Sequence, residues 1–146
     1  MTDIASQINA CKNLYVVDIS EPEDNALRVV LEEGSTAEDV AADGPVTHVR
    51  EIKHREGDRT FTLLWDSYIA YSVRNESFAT LDREEQCEGS TFVVYSKSRY
   101  LDFVAKATIA SQDYPGPFKH WGVFGLNHIL DIVSTDEPVI SVKSAA

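Results

Sequence analysis

The residues best suited to chemistry lie far apart in the chain. His120 and Asp131 stand at either end of a largely apolar run, and Asp66 and Tyr68 flank Ser67 in an earlier one. An imidazole, two carboxylates and a phenol brought together could pass protons to and from a bound molecule, which is general acid–base chemistry. Trp121, beside His120, could line such a pocket. The same residues have a plainer reading. Tyr and Trp in a small sheet usually pack into a core or an interface, and an isolated His there is usually tied by hydrogen bonds. Metal chemistry has little to work with: His48, His54, His120 and His128 form no H-x-x-x-H pair, and none stands beside Cys11 or Cys87 at ligand spacing. The chain has no Gly-rich phosphate loop, no G-x-S-x-G and no C-x-x-C, so no metal and no cofactor is expected.

Charge is the strongest global feature. The 146 residues hold 24 acids and 13 bases, for a net charge of -11. That balance disfavours direct binding to nucleic acid, which needs an excess of Lys and Arg, and to an anionic membrane surface. It suits a basic protein partner, because opposite potentials speed encounter. From Asp18 to Asp43 there are nine acids against one base, Arg28, so most of the net charge lies in the first third. Such a run is either a solvated face or a surface for a basic partner. On the second reading the contact residues are Glu32, Glu33, Glu38 and Asp39, with Tyr68 and Trp121 as aromatic anchors, since aromatics dominate binding hot spots.

These residues must be placed by strands. Phe61 to Arg74 alternates, with Phe61, Leu63, Trp65, Ile69, Tyr71 and Val73 on one side and mostly polar or small residues on the other. At roughly 46 Å it would overshoot a domain roughly 40 Å across, so a bend is expected near Ser67, either within one strand or as a kink between two. Leu14 to Ser20 and Ala26 to Glu33 read as a hairpin around the turn EPEDN. Val46 to Arg55 reads as a strand returning into the spine, Thr91 to Ser96 as another, and Val139 to Val142 as an edge strand. Lys119 to Ser134 is apolar on both faces and reads as one central strand. Gly122 and Gly125 within it mark a bulge or a close approach of another backbone.

Gly34 to Pro45 reads as a loop, with Ser35 or Thr36 capping a helical turn and Glu38 completing a capping box. Thr2 to Ala10 has weak helical spacing. The clearest helix runs from about Ser98 to Gln112, with Ser98 as its cap and Tyr100, Phe103, Val104 and Ala107 on one face. The expected fold is α+β: a single domain, residues 1–146, with one antiparallel sheet of five to seven strands and one main helix packed on a face. No secretory signal and no membrane-spanning run is read in the sequence, and the two cysteines read as reduced thiols, so the expected compartment is the cytoplasm.

Trp65 to Ser77 (WDSYIAYSVRNES) and Asp113 to Ser134 (DYPGPFKHWGVFGLNHILDIVS), with the strand and helix between them, resemble a widespread group of small bacterial proteins of about this length. The resemblance spans roughly Thr60 to Thr135, about half the chain. By size and charge such domains look like immunity proteins, which neutralise a cognate toxin. The resemblance therefore implies a non-enzymatic inhibitor that occludes the active site of a basic toxin domain, and it brings no catalytic residues with it. The rival is a small enzyme or small-molecule-binding domain using His120, Asp66, Tyr68 and Asp131. A third reading is a subunit whose exposed strand edge forms a homodimer.

Overall fold

The computed structural model describes residues 3–36 and 51–144. Two antiparallel sheets face each other. The first holds β1 (Leu14–Ser20), β2 (Leu27–Glu33), β3 (Arg59–Trp65) and β9 (Val139–Ser144), in the order β1-β2-β3-β9. The second holds β4 (Tyr68–Asn75), β5 (Gln86–Glu88), β6 (Phe92–Lys97), β7 (Lys119–Phe124) and β8 (His128–Ser134), in the order β4-β8-β7-β6-β5. Two helices, α1 (Asp3–Ala10) and α2 (Arg99–Ala107), complete the described elements with a short 3-10 turn at Glu76–Phe78. None of the described helices is long and apolar enough to cross a membrane.

The expectation of an α+β chain holds, but the single sheet with one packed helix does not: there are two sheets, of four and five strands. Period-2 alternation explains the error. In a sandwich both sheets bury their inner faces, so a chain crossing from one sheet to the other keeps its apolar alternation and imitates one long strand. Phe61, Leu63 and Trp65 point into the core from the first sheet. The chain then bends at Asp66 and Ser67 and continues as β4 at the edge of the second. The bend near Ser67 is where it was expected, and it separates two strands in different sheets. Likewise Lys119 to Ser134 is not one strand but the hairpin β7–β8, turning at Gly125 to Asn127.

The core lies between the sheets. Val16, Leu27, Val29, Leu31, Phe61, Leu63 and Trp65 meet Phe92, Trp121, Val123, Leu130 and Ile132, and Ala5 and Ile8 of α1 add to the same cluster. Each large side chain fully removed from water stabilises by about 1.5–3 kcal/mol. The second sheet is buried on its other face too. Val93, Tyr95, His120 and Val133 lie there, with Val104 of α2 fully buried. The molecule is therefore layered sheet, sheet, helix, and β7 and β8 are covered on both sides, which is why their sequence is apolar on both faces.

Local chemistry fixes the joints. In the β1–β2 turn Asn25 takes a left-handed φ of 65°, which Asn tolerates better than most residues. Asn127 in the β7–β8 turn imitates a strand: its Nδ2 donates to Val16 O at 2.8 Å and its Oδ1 accepts from Val16 N at 2.9 Å. Asn9 of α1 accepts through Oδ1 from the amides of Ser90, Thr91 and Phe92 and so seats the start of β6. The connection from Asn75 to Ser90 contains the 3-10 turn and β5. Of the strand expected over Val46 to Arg55, Val46 to Arg50 lie outside the described residues, and Lys53 makes only an isolated bridge to Ser35.

Candidate functional site

His120 and Asp131 do meet, and the register shows how. Trp121 pairs with Ile132 and Gly122 with Asp131, so His120 and Asp131 share the helix-covered face of the second sheet while Trp121 faces the core. His120 Nε2 lies 2.8 Å from Asp131 Oδ1, and its Nδ1 lies 2.7 Å from Ser98 Oγ. A carboxylate only accepts, so Nε2 is the donor to Asp131; in the neutral imidazole that tautomer leaves Nδ1 to accept from the Ser98 hydroxyl. Ser98 Oγ also accepts from Leu101 N at 3.0 Å, as the N-cap of α2. At the other end Arg74 Nη2 donates to Asp131 Oδ2 at 3.2 Å. A continuous chain thus runs Arg74–Asp131–His120–Ser98–α2.

Packing holds the imidazole in place. The Tyr95 ring stacks on it with centroids 4.1 Å apart, and the Tyr100 ring tilts over it at 5.3 Å. Gly122 makes the stack possible: a Cβ there would stand 2.9 Å from both Tyr95 Cε2 and Val93 Cγ2. The close approach expected at this glycine is real, but it is made by side chains rather than by a second backbone. Burial pushes the phenol pKa of both Tyr95 and Tyr100 upward, so both stay protonated well past neutral pH.

Serine, histidine and aspartate in sequence of contact are the residue types of a nucleophile and its base. Here Ser98 is 3% and His120 1% exposed. Two amides at the start of α2 that would otherwise be free for an oxyanion are engaged, Leu101 N by Ser98 Oγ and Arg99 N by Glu85 Oε2 at 3.0 Å. The arrangement buttresses a helix cap. A cleft of about 270 Å³ opens over Asp131, walled by Ser72, Arg74, Arg99 and Tyr100.

The other proposed catalytic groups lie elsewhere. Asp66 is exposed in the bend between the sheets. Tyr68 packs against the core on the opposite side of the second sheet from His120, its hydroxyl donating to Glu21 Oε1 at 2.8 Å. That bond pushes the Tyr68 phenol up to about 12. Tyr71 donates to the other oxygen of Glu21 at 3.4 Å, its ring edge-on to Tyr68 at 4.8 Å. The β1–β2 turn is therefore pinned to β4 by one carboxylate and two phenols. No group of three or more His, Cys, Asp or Glu side chains is placed to hold a metal ion among the described residues.

The acidic candidates separate as well. Glu33 is gripped by Arg59, with Nη2 2.9 Å from Oε2 and the Arg59 amide 3.0 Å from Oε1. The grip holds the Glu33 carboxyl down at about 2. Cys11 completes the cluster, and burial first, then Glu33, pushes its thiol up to about 12. Glu32 is half-buried on the outer face of the first sheet, between Tyr15 and Thr60. Glu38 and Asp39, like His48, lie outside the described residues. Trp121 is 3% exposed and edge-on to Trp65 at 6.0 Å, so it belongs to the core.

Sequence reasoning missed Tyr95 and Arg74, and read Ser98 only as a cap. Its link to His120 depends on β6 and β7 being neighbours, which no local spacing reveals. Comparison of the chain with protein-family models, with curated proteins and with solved structures yields no match.

Proposed function

We propose that this chain is a non-enzymatic binding domain that presents acids of its first third to a basic protein. In its sharpest form it is an immunity-type inhibitor that works in the cytoplasm by occluding the active site of a cognate basic bacterial toxin. One observation supports this above others. Glu21, Glu23 and Asp24 are all exposed on the single β1–β2 turn. The one base from Leu14 to Glu33, Arg28, is already spent on Asp18 at 3.6 Å. The turn thus carries three acids and no base of its own, and Tyr68 and Tyr71 tie it to β4 through Glu21. Preorganised like charge raises on-rates toward an opposite surface and occludes without chemistry.

Affinity capture from the native host at low and high salt supplies the partner. Association is then compared for wild type and Glu23→Gln/Asp24→Asn/Glu32→Gln, which spares the pinned Glu21. The variant should associate on the order of tenfold more slowly at low salt. An unchanged rate refutes the acidic surface. A second reading rests on the cleft over Asp131, where a carboxylate and Arg74 face a space of about 270 Å³. It places a small polar ligand there, with His120 behind it and with Asp66 and Tyr68 playing no part. It requires an affinity that disappears in His120→Gln.

A further inference from the structure

The four outer strands of the two sheets are unequal. A bare edge offers unpaired amides and carbonyls to any other strand, and native sheets blunt their edges with bulges, short strands or covering turns. β1 is bulged between Val16 and Asp18 and strapped by Asn127 and by Leu126 N on Leu14 O at 2.8 Å. β4 is bulged between Tyr68 and Ala70. β5 is three residues long, with a shift between Gln86 and Cys87. Among the described residues β9 has no bulge and no covering strap, and its single lysine, Lys143, is the one blunting device it carries. Its six residues pair with β3 from Arg59↔Ser144 to Leu64↔Val139 without a shift, and no described strand lies on its far side. All of its residues but Ile140 are exposed.

Composition selects the occupant. Val139–Ser144 is VISVKS, free of acids in a chain of net charge -11, and its one charge is the base Lys143. A chain of net charge -11 repels its own copy, and this segment adds no acid to that repulsion. The segment is also rich in β-branched residues, which suit a paired strand. Beside β9, on its core-facing side, lies a cleft of about 360 Å³ whose apolar wall includes Phe92, Val94, Trp121 and Ile140.

We propose that β9 is a self-association edge: two copies pair β9 to β9 antiparallel, joining their four-stranded sheets into one continuous sheet. A two-fold axis normal to the sheet keeps core faces together only in registers that pair residues of equal parity. With the axis at Ser141, Val139 lies opposite Lys143 of the partner subunit and Ile140 opposite Val142 of the partner subunit. The lysines avoid one another, and the partner's Val142 comes to the mouth of the apolar cleft.

The test is sedimentation velocity of the full chain from roughly 1 µM to roughly 100 µM, where mass action must reveal a dimer. Wild type should shift to twice the chain mass. Ser141→Lys, at an exposed position, should stay monomeric with an unchanged circular dichroism spectrum. In a Cys87→Ser background, Ser141→Cys should form a disulfide-linked dimer under mild oxidation, whereas Val139→Cys, ~13 Å from its own copy in this register, should not. A wild type that is monomeric throughout overturns the proposal. So does a dimer that Ser141→Lys leaves intact and Ser141→Cys fails to link.

Discussion

Removing the charge at Glu33 gives the sharpest stability test. Its carboxyl is lowered from an ordinary 4.5 to about 2, chiefly by the Arg59 side chain bonded to it. Each unit is worth ~1.4 kcal/mol, so the gap amounts to about 3 kcal/mol. The Glu33 side chain is 18% exposed and that of Arg59 30%, so water screens part of this, and about 2 kcal/mol is the working figure. The sign follows from the direction. A depressed carboxyl stabilises the fold fully above its unfolded value of 4.5, and the contribution is lost as pH falls toward about 2. Glu33→Gln keeps the shape and one acceptor but removes the charge. Urea unfolding at pH 7 should show it less stable by about 2 kcal/mol, or about 4–8 °C in Tm for a chain of this size. The gap between the two proteins should close as pH falls from 5 to 2. A gap that persists at pH 2, or none at pH 7, refutes the reasoning.

Other outcomes follow from named contacts. Gly122→Ala forces a Cβ to within 2.9 Å of Tyr95 and Val93, so it should cost about 1–3 kcal/mol and weaken the Tyr95 ring-current shift on His120 seen by NMR. Asn127→Ala leaves Val16 N and O without their partners, and denaturant unfolding should show a loss of about 1–3 kcal/mol. Ser98→Ala removes both the α2 cap and the hydroxyl on His120 Nδ1, and should lower stability by about 1–2 kcal/mol in thermal unfolding. Cys11, its thiol held at about 12, should alkylate at pH 8 far more slowly than exposed Cys87; equal labelling by mass spectrometry would show that the cluster does not hold it.

What could be read in advance was local. The β1–β2 hairpin, the helix begun by Ser98, the edge strand after Asp136 and the bend near Ser67 each declare themselves within a few residues, through turn residues, a cap or a lapse in alternation. Sheet membership is not local. Trp65 and Tyr71 both face the core, one from each sheet, and alternation is the same whether they share a sheet or not. The candidate site divided for the same reason. His120 and Trp121 are adjacent in sequence, but a strand turns them to opposite faces, toward Ser98 and toward Trp65. Glu33 looked like part of an acidic surface because its partner Arg59 is 26 residues away.

The central claim is that the acids of the first third steer a basic partner onto this domain. Stopped-flow association of wild type and Glu23→Gln/Asp24→Asn/Glu32→Gln with the captured partner, across ionic strength, addresses it most directly. The account predicts that wild type is faster at low salt and that the two curves converge as salt screens the charges. Curves that coincide at low salt, or run parallel throughout, would contradict it.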